Sequence, residues 1–357
     1  MDFALDAEAT AVADVAAEVF SRHEPQWDAT FARTGEAGFD TELWAAMHAA
    51  GLTTLALPDA LGGDELGIAA MGPLFRRMGE SAAVVPALGS VAALLSLAGS
   101  QAQPYWATPL AEGRWLAVAI GEVGDPLGET PATTLRDGTL NGAKTGVLHA
   151  AGAAGILVTT DQGVVAVPVD APGVHLVATP TSSGWGEYTV EFCDVAVGAQ
   201  GMLDVDNASL RDHYRITLCA FADGLVSGAA ALTATHVSTR HQFGKPIALF
   251  QAVGQQLADI YVIARAMHLA TTASIWRYSE GLDARKDLAI ATYWLASELP
   301  ATVRTMTHLH GGVGVDITYP LHRYFSIIKD LARLVGGPSA RLDELAAVDA
   351  REDADVD

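Results

Sequence analysis

The chain has 357 residues, half of them hydrophobic, and a formal charge of −21 at pH 7. That length supports two or three subdomains around a sizeable core, and the negative charge argues against nucleic acid or an anionic membrane as a bulk partner. No uninterrupted apolar stretch reaches the roughly 20 residues of a bilayer span, and the acidic N-terminus lacks the basic start of a secretory signal. We therefore expect a cytoplasmic protein without a membrane span.

Residues 1–113 are predicted to form a helical domain. Leu43, Trp44 and Met47 are spaced at helical intervals, and Gly51 is a natural C-terminal stop. A turn-rich loop and a further helix follow in the same region.

Residues 114–206 change character, with short β-branched segments separated by turn signals about every eight to twelve residues. Asp137-Gly138 and Asn141-Gly142 are both dipeptides that favour tight turns. This pattern predicts a small β-domain with a turn at each dipeptide.

Residues 207–357 return to long amphipathic helices with short connections, which predicts a bundle of about four helices. The whole chain is thus expected to have an α+β fold: a helical domain, a β-domain and a C-terminal helical bundle. Cys193 and Cys219 stand in unrelated contexts, and we expect both to be buried and unpaired. The histidines of the bundle are not spaced as metal ligands, so no metal site is expected.

Four sequence segments indicate which family of proteins this chain is similar to. They are GLTTLALPDALGGDELG, LRDGTLNGAKT, TRHQFGKPIALFQAVGQQLAD (Thr239 to Asp259) and HLHGGVGVDITYPLHRY (His308 to Tyr324). Taken singly, each has an ordinary structural explanation. A cluster such as Gly311, Gly312 and Gly314 can simply turn the chain between two helices, and without a preceding strand it is not a dinucleotide fingerprint. In this order, however, the four segments resemble the acyl-CoA dehydrogenase family over nearly the whole chain.

The resemblance implies FAD extended across a subunit interface, with its pyrophosphate and adenine against the neighbouring subunit's bundle. The corresponding positions in this chain are Arg240, Gln242, Phe243, Gln251, His308, Gly311 and Gly312. Arginine offers a charged fork to phosphate, and glycines let backbone amides approach an anion closely. His308 replaces the glutamine usual in the family, and an imidazole can still donate a hydrogen bond.

The family desaturates a CoA thioester with a carboxylate that removes the α-proton while hydride passes to the flavin. In most members a glutamate ends the helix after Tyr-Pro, and that position is Val335 here. Other members carry the glutamate on the first long helix of the bundle, where this chain has Tyr214, a poor base. Both base positions are therefore vacant, and no catalytic residue is assigned.

The flavin-ring half of the site departs from the family as well. The usual Thr-Glu-Pro and Trp-Ile-Thr segments are replaced by AIGEVGDP and KTGVLHA, with Gly146 and Leu148 near the aromatic and threonine positions. This asymmetry predicts a base-less subunit that completes the FAD site of a homologous partner carrying the glutamate. It is similar to the heterotetrameric acyl-CoA dehydrogenases of actinobacterial steroid degradation. The resemblance further implies an α2β2 assembly, an acyl-CoA substrate and electron-transfer flavoprotein as acceptor.

Three alternatives stay open from the sequence. A self-sufficient homotetramer would use an unrecognised carboxylate, for which Asp330 and Glu344 are the candidates, although both are expected on solvated helix faces. A flavin-free scaffold subunit and a flavin monooxygenase of the same fold are the others. Arg215 matches an arginine common to the family, and we expect it to form a buried ion pair.

Overall fold

The computed structural model describes residues 4–23, 38–127 and 130–356, with side chains described as far as residue 350. Parts of the predicted N-terminal domain and β-domain therefore lie outside the described residues. The described N-terminal helices are α1 (Ala7–Arg22), α2 (Thr41–Ala49), α3 (Ile68–Glu80), α4 (Ala87–Leu97) and α5 (Gln103–Ala111). Asp6 and Asp40 cap α1 and α2, because each carboxylate accepts a hydrogen bond from a backbone amide of the first turn.

The middle of the chain forms two small sheets. Their strands are β1 (Leu116–Ala119), β2 (Thr134–Arg136), β3 (Thr139–Leu148), β4 (Gly155–Thr160), β5 (Gly163–Pro168), β6 (Val174–Thr179) and β7 (Glu187–Ala196). One sheet has the order β1-β4-β5, with β1 and β4 parallel, and the other has the antiparallel order β2-β3-β7-β6.

One of the two predicted turns is present. Asp137 and Gly138, with φ of 49° and 74°, form the tight turn between β2 and β3. The turn expected at Asn141-Gly142 is wrong, since both residues lie inside β3. There Gly142, with φ of 148°, accommodates a shift in the pairing of β3 with β7. Long-range strand pairing has overridden the local preference.

The C-terminal helices are α6 (Asn207–Thr239), α7 (Gln251–Ser279), α8 (Arg285–His310), α9 (Pro320–Leu334) and α10 (Gly337–Val356), and a two-stranded hairpin, β8 (His241–Gln242) with β9 (Lys245–Pro246), joins α6 to α7. Among the described residues, α6 alone has the length and composition to cross a membrane, but 72% of its most apolar window is buried inside the protein. It is the central helix of the fold.

Two glycines allow α6 to approach the N-terminal domain closely. A Cβ at Gly79 of α3 would lie 2.7 Å from the Cα of Gly224 on α6, so neither position has room for a side chain. Cys219, also on α6, is buried as expected. The expectation for Cys193 is wrong: it is exposed on β7, because its neighbour Phe192 takes the inward side of the strand.

Candidate functional site

The segment with Arg240 and Phe243 forms an exposed hairpin at the end of α6. The Arg240 amide donates to the carbonyl of His236 at 2.9 Å, and its carbonyl accepts from the Ile247 amide at 2.9 Å. Phe243 and Gly244 have φ of 53° and 81° and make the hairpin turn, which leaves the Phe243 side chain 92% exposed. The Phe-Gly pair thus has a structural task, and it also presents an aromatic ring to solvent.

The polar side chains around this hairpin face outward. Arg240 is exposed and makes no ion pair with any described residue. Gln242 is exposed, with its amide donating to the His241 carbonyl at 2.8 Å, and Gln251 is the exposed first residue of α7. An unpaired guanidinium beside exposed amides suits an anionic ligand.

The glycine-rich loop follows the last turn of α8. Gly311 has φ of 63°, and a Cβ at Gly311 or Gly312 would meet nothing within 4 Å. Their backbones are therefore open on that side to a ligand. Gly314 is different, because a Cβ there would lie 2.6 Å from the Thr307 carbonyl oxygen, so this glycine is required for packing. His308 is exposed on the same turn of α8.

Stacked histidines bring the hairpin and the glycine loop together. The rings of His236 on α6 and His310 on α8 lie 4.3 Å apart at 23°. We use "nucleotide-side surface" for the exposed residues Arg240, Gln242, Phe243, Gln251, His308, Gly311 and Gly312. An arginine without an ion pair among the described residues and open glycine backbones fit the diphosphate of FAD.

The structure places no acid at either expected base position. Val335, at the end of α9, is fully buried. Tyr214 is buried on α6, and burial raises the pKa of its hydroxyl well above the ordinary value, with Glu187 adding to the shift. Neither side chain can remove a proton at neutral pH.

A cavity of about 290 Å³ lies between α6, the end of α9 and the β-domain. It is lined by the loop after β1, by Thr145 and Gly146 of β3, and by Tyr214, Arg333 and Leu334. Its volume is just below the roughly 300–1,000 Å³ of typical ligand pockets. The Leu334 Cδ2 atom lies 2.7 Å from where a Cβ at Gly146 would stand. A side chain at 146 would therefore require Leu334 to shift.

A buried ion pair holds the loop after β1. The fully buried Lys144 ammonium donates to Glu122 at 2.7 Å, to the Thr159 hydroxyl at 2.9 Å and to the Ile120 carbonyl at 3.2 Å. Burial by itself raises the pKa of Glu122. The hydrogen bonds from Lys144 and from the backbone amides of Ala132 and Thr133 outweigh this effect and lower the pKa to about 2. Glu122 is thus an ionised structural group.

The two carboxylates proposed as alternative bases have other partners. Asp330 is buried, and its carboxylate accepts hydrogen bonds from the backbone amides of Ser182 and Ser183 at 3.2 and 2.8 Å. Glu344 lies 2.7 Å from Arg215 and also pairs with Arg341. The expectation of solvated faces is therefore wrong for Asp330 and Glu344, because distant segments pack over them, whereas the buried ion pair expected for Arg215 is present.

One buried carboxylate was missed by the sequence reading. Glu187, the first residue of β7, is 2% exposed and pairs through one oxygen with Arg333. Burial raises the pKa of Glu187, and Arg333 opposes that shift. No local signal marks this residue, because the burial arises only when α9 packs against the start of β7.

Comparison with known proteins agrees with this architecture. The models of the acyl-CoA dehydrogenase N-terminal and C-terminal domains match residues 6–114 and 203–347. The acyl-CoA dehydrogenase FadE28 of Mycobacterium tuberculosis is 42% identical over 97% of this chain and 98% of its own length.

Solved structures extend the similarity to three dimensions. A chain of the ChsE4–ChsE5 complex of M. tuberculosis has a TM-score of 0.90 with 31% identity, covering 98% of this chain and 99% of that one. A chain of the Tcur3481–Tcur3483 steroid ACAD has a TM-score of 0.87 with 32% identity, covering 98% of this chain and all of that one. The predicted fold class is confirmed, and this chain belongs to the acyl-CoA dehydrogenase family of FAD-dependent oxidoreductases.

Proposed function

We propose that this chain is the base-less subunit of a heteromeric acyl-CoA dehydrogenase. It contributes the nucleotide-side surface to an FAD whose ring lies in a homologous partner, and the partner carries the catalytic glutamate. The observation that carries the proposal is the fully buried Val335 at the base position, next to Leu334, which closes on Gly146. Bound FAD would supply the hydride acceptor for desaturation of the thioester.

The residues of this chain then act by binding. The Arg240 guanidinium would donate paired hydrogen bonds to the diphosphate. The open backbones of Gly311 and Gly312 would let their amides approach the same group. Phe243 and Gln251 would cover the nucleotide end from the hairpin and the start of α7. The exposed positions of these residues support this role, because they can reach a molecule held by a neighbour.

The remaining assignments follow from the relatives. Two similar solved chains come from two-protein complexes, one of them a steroid ACAD. We therefore propose an α2β2 assembly in the cytoplasm that desaturates a bulky, steroid-type CoA thioester and passes electrons to electron-transfer flavoprotein.

A self-sufficient enzyme is the second candidate, and Glu187 is the observation that favours it. Its pKa, which burial raises, is a feature of a general base. Arg333 lines the cavity and pairs with Glu187, so the carboxylate is covered from the substrate side. A Glu187→Gln substitution separates the two functions, because only the self-sufficient enzyme loses turnover by the chain alone.

The main test is expression of the chain alone and together with its partner. We expect stoichiometric FAD and thioester desaturation only from the complex. Arg240→Ala in the complex should lower the flavin absorbance retained after gel filtration. Arg77→Ala, which removes an exposed arginine of the N-terminal domain paired with Glu80, is the matched control.

Two outcomes contradict the proposal. Turnover with bound flavin from the chain alone would favour the self-sufficient enzyme. Unchanged flavin retention in the Arg240→Ala complex would leave the chain a scaffold without a cofactor role.

A further inference from the structure

The ring contact between His236 and His310 connects the two parts of the nucleotide-side surface, the hairpin and the glycine loop. His236 lies one turn before Arg240, and its carbonyl accepts the Arg240 amide. His310 immediately precedes Gly311. The ring contact between the two histidines therefore fixes where the arginine stands relative to the open glycine backbone.

His310 is enclosed by the segments that it joins. Its residue is 5% exposed, and on another side its ring lies 5.4 Å from the ring of Tyr319, the residue before α9. The loop folds back over it, because a Cβ at Gly314 would lie 2.9 Å from the His310 Cβ. Any displacement of this ring must move the glycine loop.

The hydrogen bonding of His310 selects its neutral form. Its Nδ1 lies 2.8 Å from the Met306 carbonyl oxygen, and because a carbonyl only accepts, Nδ1 carries the hydrogen. Its Nε2 is buried and has no hydrogen-bond partner in the described residues. A second proton on Nε2 would be a buried donor without an acceptor, which is unfavourable.

The electrostatic surroundings of the pair also oppose protonation. Burial lowers the pKa of His236, and His310 and Arg240 lower it further. Burial lowers the pKa of His310, and the Met306 carbonyl opposes that shift. The groups facing the pair are Arg240 from the end of α6 and Tyr319 from the start of α9, and no carboxylate of the described residues contributes to either shift.

The lowered pKa values of both histidines make the stability of the folded state depend on pH. Histidines with a lowered pKa in the folded state stabilise it above their ordinary pKa of about 6.5, and they lose that contribution as the pH falls towards the folded values.

We infer that His236 and His310 form a neutral stacked pair that positions Arg240 and Gly311 for FAD, so that protonation of the pair releases the cofactor. The inference rests on the proposed function and adds pH regulation to the same site. Both histidines are positioning residues, which act through the arginine and the glycine loop.

The first test measures FAD retention by the complex as a function of pH, by flavin absorbance after gel filtration. Each protein is scaled to its own retention at pH 8. The wild type should lose FAD below about pH 6.5. His236→Phe keeps an aromatic ring that cannot be protonated, and it should move the midpoint of release to lower pH. His175→Phe, which changes an exposed histidine on β6, should keep the wild-type midpoint. Equal midpoints for wild type and His236→Phe would overturn the inference.

The second test needs neither partner nor FAD. Backbone hydrogen exchange of residues 305–317 is followed in the isolated chain, corrected for the intrinsic pH dependence. Exchange should accelerate as the wild type is acidified and less so in His236→Phe. If wild-type exchange in this segment does not change as the histidines titrate, the inference fails. A complex without FAD at pH 8 would instead refute the proposed function, and the exchange data would still decide the role of the pair.

Discussion

The Cδ2 atom of Leu334 stands 2.7 Å from the point that a Cβ at Gly146 would occupy, and Gly146 itself has φ of 69°. A side chain at 146 would therefore strain the backbone and would require the leucine to shift. The leucine is the last residue of α9, directly before Val335. The buried Val335 and the close approach of Leu334 to Gly146 therefore lie side by side, where α9 meets β3.

This contact predicts a coupling that can be measured. Gly146→Ala should destabilise the fold by about 1–3 kcal/mol through backbone strain and by a similar amount through overpacking. Leu334→Ala should relieve the overpacking, so the double variant should cost less than the sum of the single variants. Urea unfolding of the four proteins gives the coupling. Gly99→Ala is the control, because Gly99 has φ of 78° but open space at its Cβ. If Gly146→Ala costs no more than Gly99→Ala, the leucine contact is unimportant.

Restoring the acid alone should not restore the enzyme. Val335→Glu places a carboxylate in a fully buried position, where burial favours its protonated form. We expect no thioester desaturation from that variant alone, because a carboxyl that stays protonated cannot accept the α-proton. The variant should also lose stability relative to Val335→Gln as the pH rises above about 4.3, where the unfolded glutamate ionises. Urea unfolding against pH checks the loss of stability, and turnover with bound flavin would contradict the expected inactivity.

The Lys144–Glu122 pair should be a major contributor to the β-domain. Lys144→Met leaves a largely buried carboxylate without its cation, so a loss of about 3–5 kcal/mol is expected. Combining it with Glu122→Gln should recover part of that loss. The pKa of Glu122, lowered to about 2, adds a pH dependence. Its stabilising contribution is present above the ordinary glutamate pKa of 4.5 and is lost as the pH falls towards about 2. The free energies of unfolding of the wild type and Glu122→Gln, measured between these two pH values, give this contribution. The same pH dependence in both proteins would contradict the pairing.

Glu344 should behave as a structural partner of Arg215. Because Arg215 is 4% exposed, Glu344→Gln leaves a buried guanidinium without its main carboxylate and should cost about 3–5 kcal/mol. Asp343→Asn, one residue earlier and exposed, should be near neutral. Thermal unfolding measures both. Flavin content and turnover of the complex, scaled to folded protein, should not change with Glu344→Gln; a selective loss of turnover would instead identify it as the base.

Much of the fold follows from local rules in the sequence. The long α6 is set by a continuous helical run, and the turn at Asp137-Gly138 by backbone sterics that act within two residues. Segments such as the one around Arg240 identified the family because their residue types and order are specific. The resemblance also aligns Val335 with the family's usual glutamate through Tyr319 and Pro320, and that assignment stays a prediction.

Only the tertiary structure decided how these segments meet. It placed Leu334 against Gly146, covered Glu187 with Arg333 and stacked His236 on His310. Each of these contacts joins elements that are distant along the chain, and close packing determines which side chains share a space and which acids lose their solvent. Local preferences act over a few residues and carry no information about such neighbours. The sequence therefore determined which residue types stand at each position, and the packing determined which of them meet.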